Sequence, residues 1–437
     1  MGGYDVIIIG AGAAGLMAAY ELSKAGKTVV ILEARNRIGG RMHSVSFESL
    51  PQPVEAGAEF IHGNLPFTIQ LLKQAGINYV EAGGEIVEVR HKELEEMDDF
   101  VETDKAFKKK LQALETDMTV DDFLQAYFSD NKYAYLRKSV IRFIQGYEAA
   151  DTSRASILSM RNDLLGNSNE EQYRVQGGYK HLYDCILKEC IANGCMLHLS
   201  SVVKHITSDE KLVAAVTAGG ESYLARQILI TVPLGILQAD SKQEAFIDIP
   251  ALSKQHTSLL QKMGYGQVIK ILLAFKHPFW LDGIVAEMVH KNMDDVSFIF
   301  SDAEIPTWWT QVPEKSNLLT GWLSGPRSLK FKGLKNDEIL RKAIHALSVI
   351  FKLSETILKE QLTDSLVCNW PDDPFSLGAY SYPTLYTKEA QELFKSPVNG
   401  NIYFAGEAFY QGPYAGTVEA SLTNAINVAH QMLNAIR

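Results

Sequence analysis

YDVIIIGAGAAG, residues 4 to 15, decides the fold. Tyr4 to Ile9 is an apolar, β-branched run of the type found in parallel strands covered on both faces. It leads without a spacer into GAGAAG, Gly10 to Gly15. Leu16, Ala19, Tyr20 and Leu22 then recur at helical spacing as far as Gly26, and Thr28 to Leu32 makes a second apolar strand that ends at Glu33. Together these form one βαβ unit. Gly10 permits the tight turn, Gly12 lets the backbone approach a pyrophosphate with Ala13 and Ala14 opening the helix behind it, and Gly15 lets that helix sit close on the sheet. Glu33 lies 18 positions after Gly15, near the distance expected for an acid that binds ribose hydroxyls, and a carboxylate there repels a 2′-phosphate. The segment is read as a site for a dinucleotide other than NADP.

The continuation EARNRIGGR, Glu33 to Arg41, narrows the choice. After Ala34 and Arg35 come the paired glycines Gly39 and Gly40, then Arg41, a cation delivered beside the phosphates. Two NAD half-sites rarely need such a segment, so the reading is FAD.

A chain of 437 residues is expected to form two interleaved or sequential domains. Its 46% hydrophobic and 22% charged residues are ordinary for a soluble enzyme. The net charge of -10 argues against a nucleic-acid partner and mildly favours a cationic substrate. Cys185, Cys190, Cys195 and Cys368 form no CxxC pair, and a spacing of five suits neither a zinc site nor a redox couple, so they read as buried thiols and no metal is expected. No basic segment precedes Val6 to Leu16, which is a strand and turn, not an export signal. No apolar run reaches the roughly 18 residues of a membrane span. The expectation is a cytoplasmic monomer or homodimer with no nucleic-acid or membrane partner.

With both glycine-rich segments in view, the chain closely resembles the flavin amine oxidase family: monoamine oxidases, polyamine oxidases, L-amino acid oxidases and lysine-specific histone demethylases. In active-site pattern it is most similar to the polyamine oxidases. LEARNRIGGR matches the family's second fingerprint, and further matches run through EAGAEFIHG (Glu55 to Gly63), RVQGGY (Arg174 to Tyr179), Leu199 to Ile206, Thr231 to Leu234, Lys262 to Trp280, Trp370 to Pro383 and Ile402 to Ala429. The resemblance implies a mixed α/β fold: a Rossmann-like FAD-binding domain assembled from separated stretches, with an interleaved substrate domain. On this sequence residues 1–65, 195–250 and 355–437 would form the FAD-binding domain, and 66–194 and 251–354 the substrate-binding domain. Residues 64–187 read as helix-rich, with the charged run Glu93 to Asp117 as a solvated helical face, whereas 206–232 and 268–275 alternate like strands.

Carried over residue by residue, the resemblance puts Glu33 on the adenosine ribose, Arg41 near the pyrophosphate, Val203 beside the adenine, and Gly406 with Glu407 of FAGE on the ribityl side. It adds Gly57, Ala58, Glu59, Phe60, Trp370, Gly416, Thr417 and Val418 to the FAD-binding set. Lys270 lies in VIKILLAF, where an ammonium is costly without a role or a partner. The family implies a lysine that holds a water against flavin N5; the alternative is an edge lysine whose stem reaches solvent. WPDDPFSLGAYSY, Trp370 to Tyr382, resembles the segment that sets an aromatic, here Tyr380, before the flavin face. Ala379 stands where monoamine oxidases carry the cysteine that binds flavin covalently, so FAD is expected to be non-covalent.

Thr417 stands where monoamine oxidases carry a second tyrosine. Together with His62 of FIHGN it resembles the polyamine enzymes and tilts the substrate toward a longer or secondary amine. A histidine in a Gly-bounded loop also serves as a structural hydrogen-bonding group. Glu148 in GYEAAD either meets a distal ammonium or is solvated. Trp308, Trp309 and Trp322 either line a channel or, more simply, pack the core.

The reaction these residues imply is hydride transfer from the α-carbon of an amine to flavin, hydrolysis of the imine to an aldehyde or ketone, and reoxidation by O2 to peroxide. The reactants are a small-molecule amine and O2. The alternatives are an L-amino acid oxidase, disfavoured because GAEFIHG offers no arginine for a carboxylate, and a dehydrogenase that passes electrons to a partner protein. A histone demethylase is disfavoured because no coiled-coil insertion interrupts the substrate domain and no binding module precedes Met1.

Overall fold

A computed structural model describes residues 3–63, 65–166, 171–209 and 211–435. Tyr4–Ile9 is the centre of the first sheet, flanked in parallel by Val29–Leu32 and by Ser222–Ile230. Met196–His198 extends the parallel array beyond Val29–Leu32, and Ile402–Phe404 extends it beyond the end of Ser222–Ile230. The first half of that long strand instead pairs antiparallel with Val213–Thr217, which carries Val203–Ser208 at the edge. Tyr4–Ile9 buries both faces: Val6 and Ile8 pack with helices Ala13–Lys24, Lys180–Ala192 and Val418–Ala435, while Ile7 and Ile9 face a second core containing Leu259, Leu260 and Phe394. This two-sided burial is why the strand reads as an unbroken apolar run.

Gly10 has φ 102°, a backbone state that L side chains rarely adopt. Gly15 is fixed by contact: a Cβ on it would lie 1.9 Å from the Gly10 carbonyl oxygen. Both atoms are anchored in backbone, so Gly15→Ala is expected to destabilise the protein by about 1–3 kcal/mol, the ordinary cost of overpacking. The denaturant midpoint measures this, and an unchanged midpoint would mean that the helix is free to slide off the turn.

The second sheet runs Leu362–Asn369, Val268–Phe275, Leu318–Ser324, Thr307–Trp309, Val296–Phe300, Glu85–Arg90, Glu93–Met97, antiparallel except between Val296–Phe300 and Glu85–Arg90. Ile269, Ile271, Leu273 and Phe275 point to a core shared with the helix Asn336–Phe351. The period of two therefore turns Val268 and Lys270 to the opposite face.

The charged run forms two elements where one helical face was expected. Glu93–Met97 is an edge strand joined to Glu85–Arg90 by a hairpin in which His91 and Lys92 both have positive φ (51° and 69°), and Lys105–Gln112 is a helix. Charge suits an edge strand because it discourages further pairing. Two elements also lie across the expected domain division. Leu362–Asn369 belongs to the second sheet, and Lys180–Ala192 packs with the first. All four cysteines are free thiols; Cys190 and Cys195 are buried, Cys185 and Cys368 half-buried. Among the described residues no helix is long and apolar enough to cross a membrane, and no cluster suits a metal ion.

Candidate active site

The carboxyl ends of the parallel strands open into a cavity of about 1270 Å³ that continues beneath the second sheet. It is larger than the roughly 300–1,000 Å³ of a single-ligand pocket, which leaves room for a cofactor and a substrate together. Every residue expected to contact cofactor or substrate lines it except Gly15, whose part is the close packing described above.

At the nucleotide end, the N-terminus of Ala13–Lys24 points its free N–H groups at the cavity. A Cβ on Gly12 or Gly406 would meet no protein atom within 4 Å, so bare backbone faces the open space at both. Glu33 is buried and accepts from the Ala11 N–H at 2.7 Å and the Arg35 N–H at 2.9 Å, which ties the first glycine turn to the second. Arg41 donates to the Ala379 carbonyl at 2.6 Å and to Glu407 at 2.8 Å, drawing GGR against FAGE. Arg35 is clamped to Asp373 and Ser376. An acid at the end of the second parallel strand, a helix N-terminus and two side-chain-free approaches fit FAD.

Lys270 is 1% exposed on a central strand, which removes the solvent-reaching alternative. Its ammonium donates to Glu59 at 2.7 Å and to the Gly57 carbonyl at 3.1 Å, and sits 5.5 Å from the Trp309 ring centroid. Glu59 also accepts from Arg174 at 2.9 Å and the Trp309 indole at 3.0 Å. Burial alone would raise the Glu59 carboxyl, but Lys270 and Arg174 outweigh it and hold it at about 2. The lysine is an ion-paired side chain in the cavity wall.

His62 accepts or donates at Nδ1 with the Tyr147 hydroxyl, 2.9 Å away, and burial lowers its ring to about 4, so it is neutral at pH 7. The Tyr380 hydroxyl donates to the Tyr147 carbonyl at 2.7 Å. Thr417 lines the cavity, but its hydroxyl is engaged: it donates to the Tyr414 carbonyl at 2.7 Å and accepts from the Ala420 N–H at 3.2 Å, capping the helix Val418–Ala435. Glu148 also lines the cavity beside Asp163; burial and then Asp163 push its carboxyl up to about 8. Trp309 and Trp322 line the cavity, whereas Trp308 is fully buried in the core.

Sequence reasoning missed Arg174 as the second cation on Glu59 and Tyr147 as the link between His62 and Tyr380. Arg174 had a signal, a charge within the short strand Gln172–Val175. Tyr147 had none, since nothing in GYEAAD announces which side chain turns inward.

This fold and cavity define a dinucleotide-dependent oxidoreductase. The chain belongs to the flavin containing amine oxidoreductase family, which it matches over residues 13–433, and FAD is its cofactor. It is 27% identical over 444 residues to Polyamine oxidase 5 of Oryza sativa subsp. japonica, covering 92% of this chain and 82% of that protein. It is 26% identical over 433 residues to Lysine-specific histone demethylase 2 of Homo sapiens, covering 92% of this chain but only 50% of that protein. The chain thus spans about half the length of that relative. Cyclohexylamine oxidase from Brevibacterium oxydans IH-35A superposes with a TM-score of 0.78 at 19% identity, covering 100% of both chains.

Proposed function

We propose that the protein oxidises a polyamine or secondary amine, with FAD held non-covalently and O2 as electron acceptor. The observation that carries the substrate class is Glu148 beside Asp163 in the cavity wall, a carboxylate pair suited to a second cationic nitrogen of the substrate. Its nearness to Tyr380 is felt electrostatically: after burial, Glu148 is the largest influence raising that phenol. When bound, FAD supplies the two-electron acceptor for the hydride on the carbon next to the amine nitrogen and hands the electrons to O2, giving H2O2.

The chain's own residues do the rest. Glu33, Arg41 and the backbone at Gly12 and Gly406 hold the dinucleotide, and Tyr380, Trp309 and Trp322 exclude water from the amine. Lys270, fixed by Glu59, orients a water for imine hydrolysis or for the oxygen step. No cysteine lines the cavity among the described residues, in keeping with non-covalent FAD. Each arginine lining the cavity is already ion-paired, Arg35 with Asp373, Arg41 with Glu407 and Arg142 with Glu88, which leaves the exposed Lys388 at the rim as the cation an L-amino acid carboxylate would have to use. We place the domain division at the sheets, with the strand Leu362–Asn369 on the substrate side.

Anaerobic mixing with putrescine, spermidine, spermine, aromatic monoamines, cyclic amines and L-amino acids tests the proposal. Polyamines or secondary amines are expected to bleach the flavin, and air to restore it with peroxide. Bleaching by L-amino acids alone, or none at all, would overturn the substrate class. Bleaching followed by very slow recovery in air would overturn the choice of O2.

A further inference from the structure

Tyr147 sits at the C-terminal end of the helix Ala134–Gly146 with its ring stacked on Phe143, centroids 5.2 Å apart and planes 11° from parallel. From there it touches both side chains expected to face the reacting amine. Its hydroxyl meets His62 Nδ1 at 2.9 Å, and its carbonyl accepts from the Tyr380 hydroxyl at 2.7 Å. His62 Nε2 has no hydrogen-bond partner among the described residues and is not among the buried unpaired atoms, so it opens on the cavity that His62 lines.

The direction of the Tyr147–His62 bond sets what His62 offers that cavity. A phenol is a good donor and a weak acceptor, while the bare nitrogen of a neutral imidazole is a good acceptor. Burial keeps the phenol un-ionised and the imidazole neutral, so both groups hold these forms across neutral pH. The favoured arrangement is therefore O–H to Nδ1, and the one remaining ring proton must sit on Nε2.

We propose that Tyr147 is a positioning residue that fixes His62 in the Nε2–H tautomer, making it a hydrogen-bond donor to the occupant of the cavity, while the Tyr147 carbonyl anchors Tyr380. The proposal rests on the reading of this cavity as the site of amine oxidation. Its chemical content is that His62 presents a proton and does not accept the one lost by an entering ammonium.

The test is nitrogen NMR of FAD-loaded protein labelled with 15N-histidine, with the His62 signals assigned by their loss in His62→Gln. In the wild type, Nε2 is expected to carry the proton and Nδ1 to resonate as a bare acceptor. Tyr147→Phe keeps the stack and the carbonyl but lacks the hydroxyl; it is expected to give a mixture of tautomers with an unchanged flavin spectrum. With the amine that bleaches the flavin, Tyr147→Phe should lower kcat/KM about three- to tenfold. His62→Gln, whose amide N–H stands in for Nε2–H, should retain more activity than His62→Ala. A wild-type Nδ1–H tautomer, or no change of tautomer in Tyr147→Phe, overturns the proposal. The wild-type spectrum alone decides the tautomer even if the variant fails to fold. Because the NMR measurement needs no substrate, it still reads the tautomer if the substrate class is wrong.

Discussion

Lys270→Met is expected to retain FAD while turnover falls more than tenfold. Methionine matches the lysine stem in length and flexibility, so the central strand keeps its packing and only the ammonium is lost. What remains is Glu59 with Arg174 at 2.9 Å and Trp309 at 3.0 Å, a carboxylate short of one partner but not abandoned. Full loss of a buried partner costs about 3–5 kcal/mol; with Arg174 still in place the loss of stability should be nearer 1–3 kcal/mol. The double variant Lys270→Met, Glu59→Gln removes the unmatched charge and should recover part of that stability without recovering turnover. Glu59 is held at about 2 against an ordinary 4.5, so its share of stability is complete above 4.5 and fades only as the pH falls toward 2. Lys270→Met removes the largest influence opposing burial, so the Glu59 carboxyl rises in that variant, and a turnover defect that persists in the Glu59→Gln double variant cannot arise from its titration. Stopped-flow absorbance separates flavin reduction from reoxidation, and unchanged rates in both would remove Lys270 from the chemistry.

Glu148→Gln is expected to raise KM for diamines and polyamines at least tenfold while leaving simple monoamines within about twofold. A charge-assisted hydrogen bond to an ammonium is worth about 1.5–3 kcal/mol, which corresponds to roughly 10- to 150-fold in affinity. The sign of the pH effect follows from the raised carboxyl. With its pKa at about 8 instead of 4.5, Glu148 is protonated at pH 7 in the free protein, and the folded state binds the extra proton between these values. That group's contribution to stability thus declines as pH rises from about 4.5 to 8. A cationic nitrogen stabilises the ionised form, so binding at pH 7 should release a proton, and affinity should strengthen as pH approaches 8. Calorimetry in buffers of different ionisation enthalpy counts the proton. Its persistence in Glu148→Gln would assign the effect to another group, and an unchanged polyamine KM would dismiss Glu148 as the distal anchor.

The nucleotide end of the cavity was legible in the sequence because glycine and acid positions there are set by local turn geometry. Gly10, Gly12, Gly39 and Gly40 act through the backbone of their own turns, and Glu33 reaches no further than Ala11 and Arg35, whereas the partners of Arg41, Ala379 and Glu407, are brought to it only by the fold. Lys270 was legible for a different reason: a charge inside VIKILLAF violates the pattern of its own strand. Its partner was not, since Glu59 lies 211 positions away and only the pairing of sheets brings the two together. The strand Glu93–Met97 was misread because composition records charge but not the hairpin turn that lays those charges along a sheet edge. Thr417 lines the cavity, and its hydroxyl also closes a helix turn, a local use that its position before Val418–Ala435 advertises.

The pairing of Ile402–Phe404 with Ser222–Ile230 also bears on how the protein is made. Gly10 and Gly406 face one cavity although they lie 396 positions apart, so a growing polypeptide exposes the first glycine turn long before its opposite wall has left the ribosome. The complete cavity therefore forms only once this most distant pairing has closed, and pairings of such sequence separation are the slow ones. Tyr4–Ile9 and Val29–Leu32 find their partners by residue 230, so the edge left open until then is the end of Ser222–Ile230 that Ile402–Phe404 covers, and an open apolar edge is exposed to pairing with other chains.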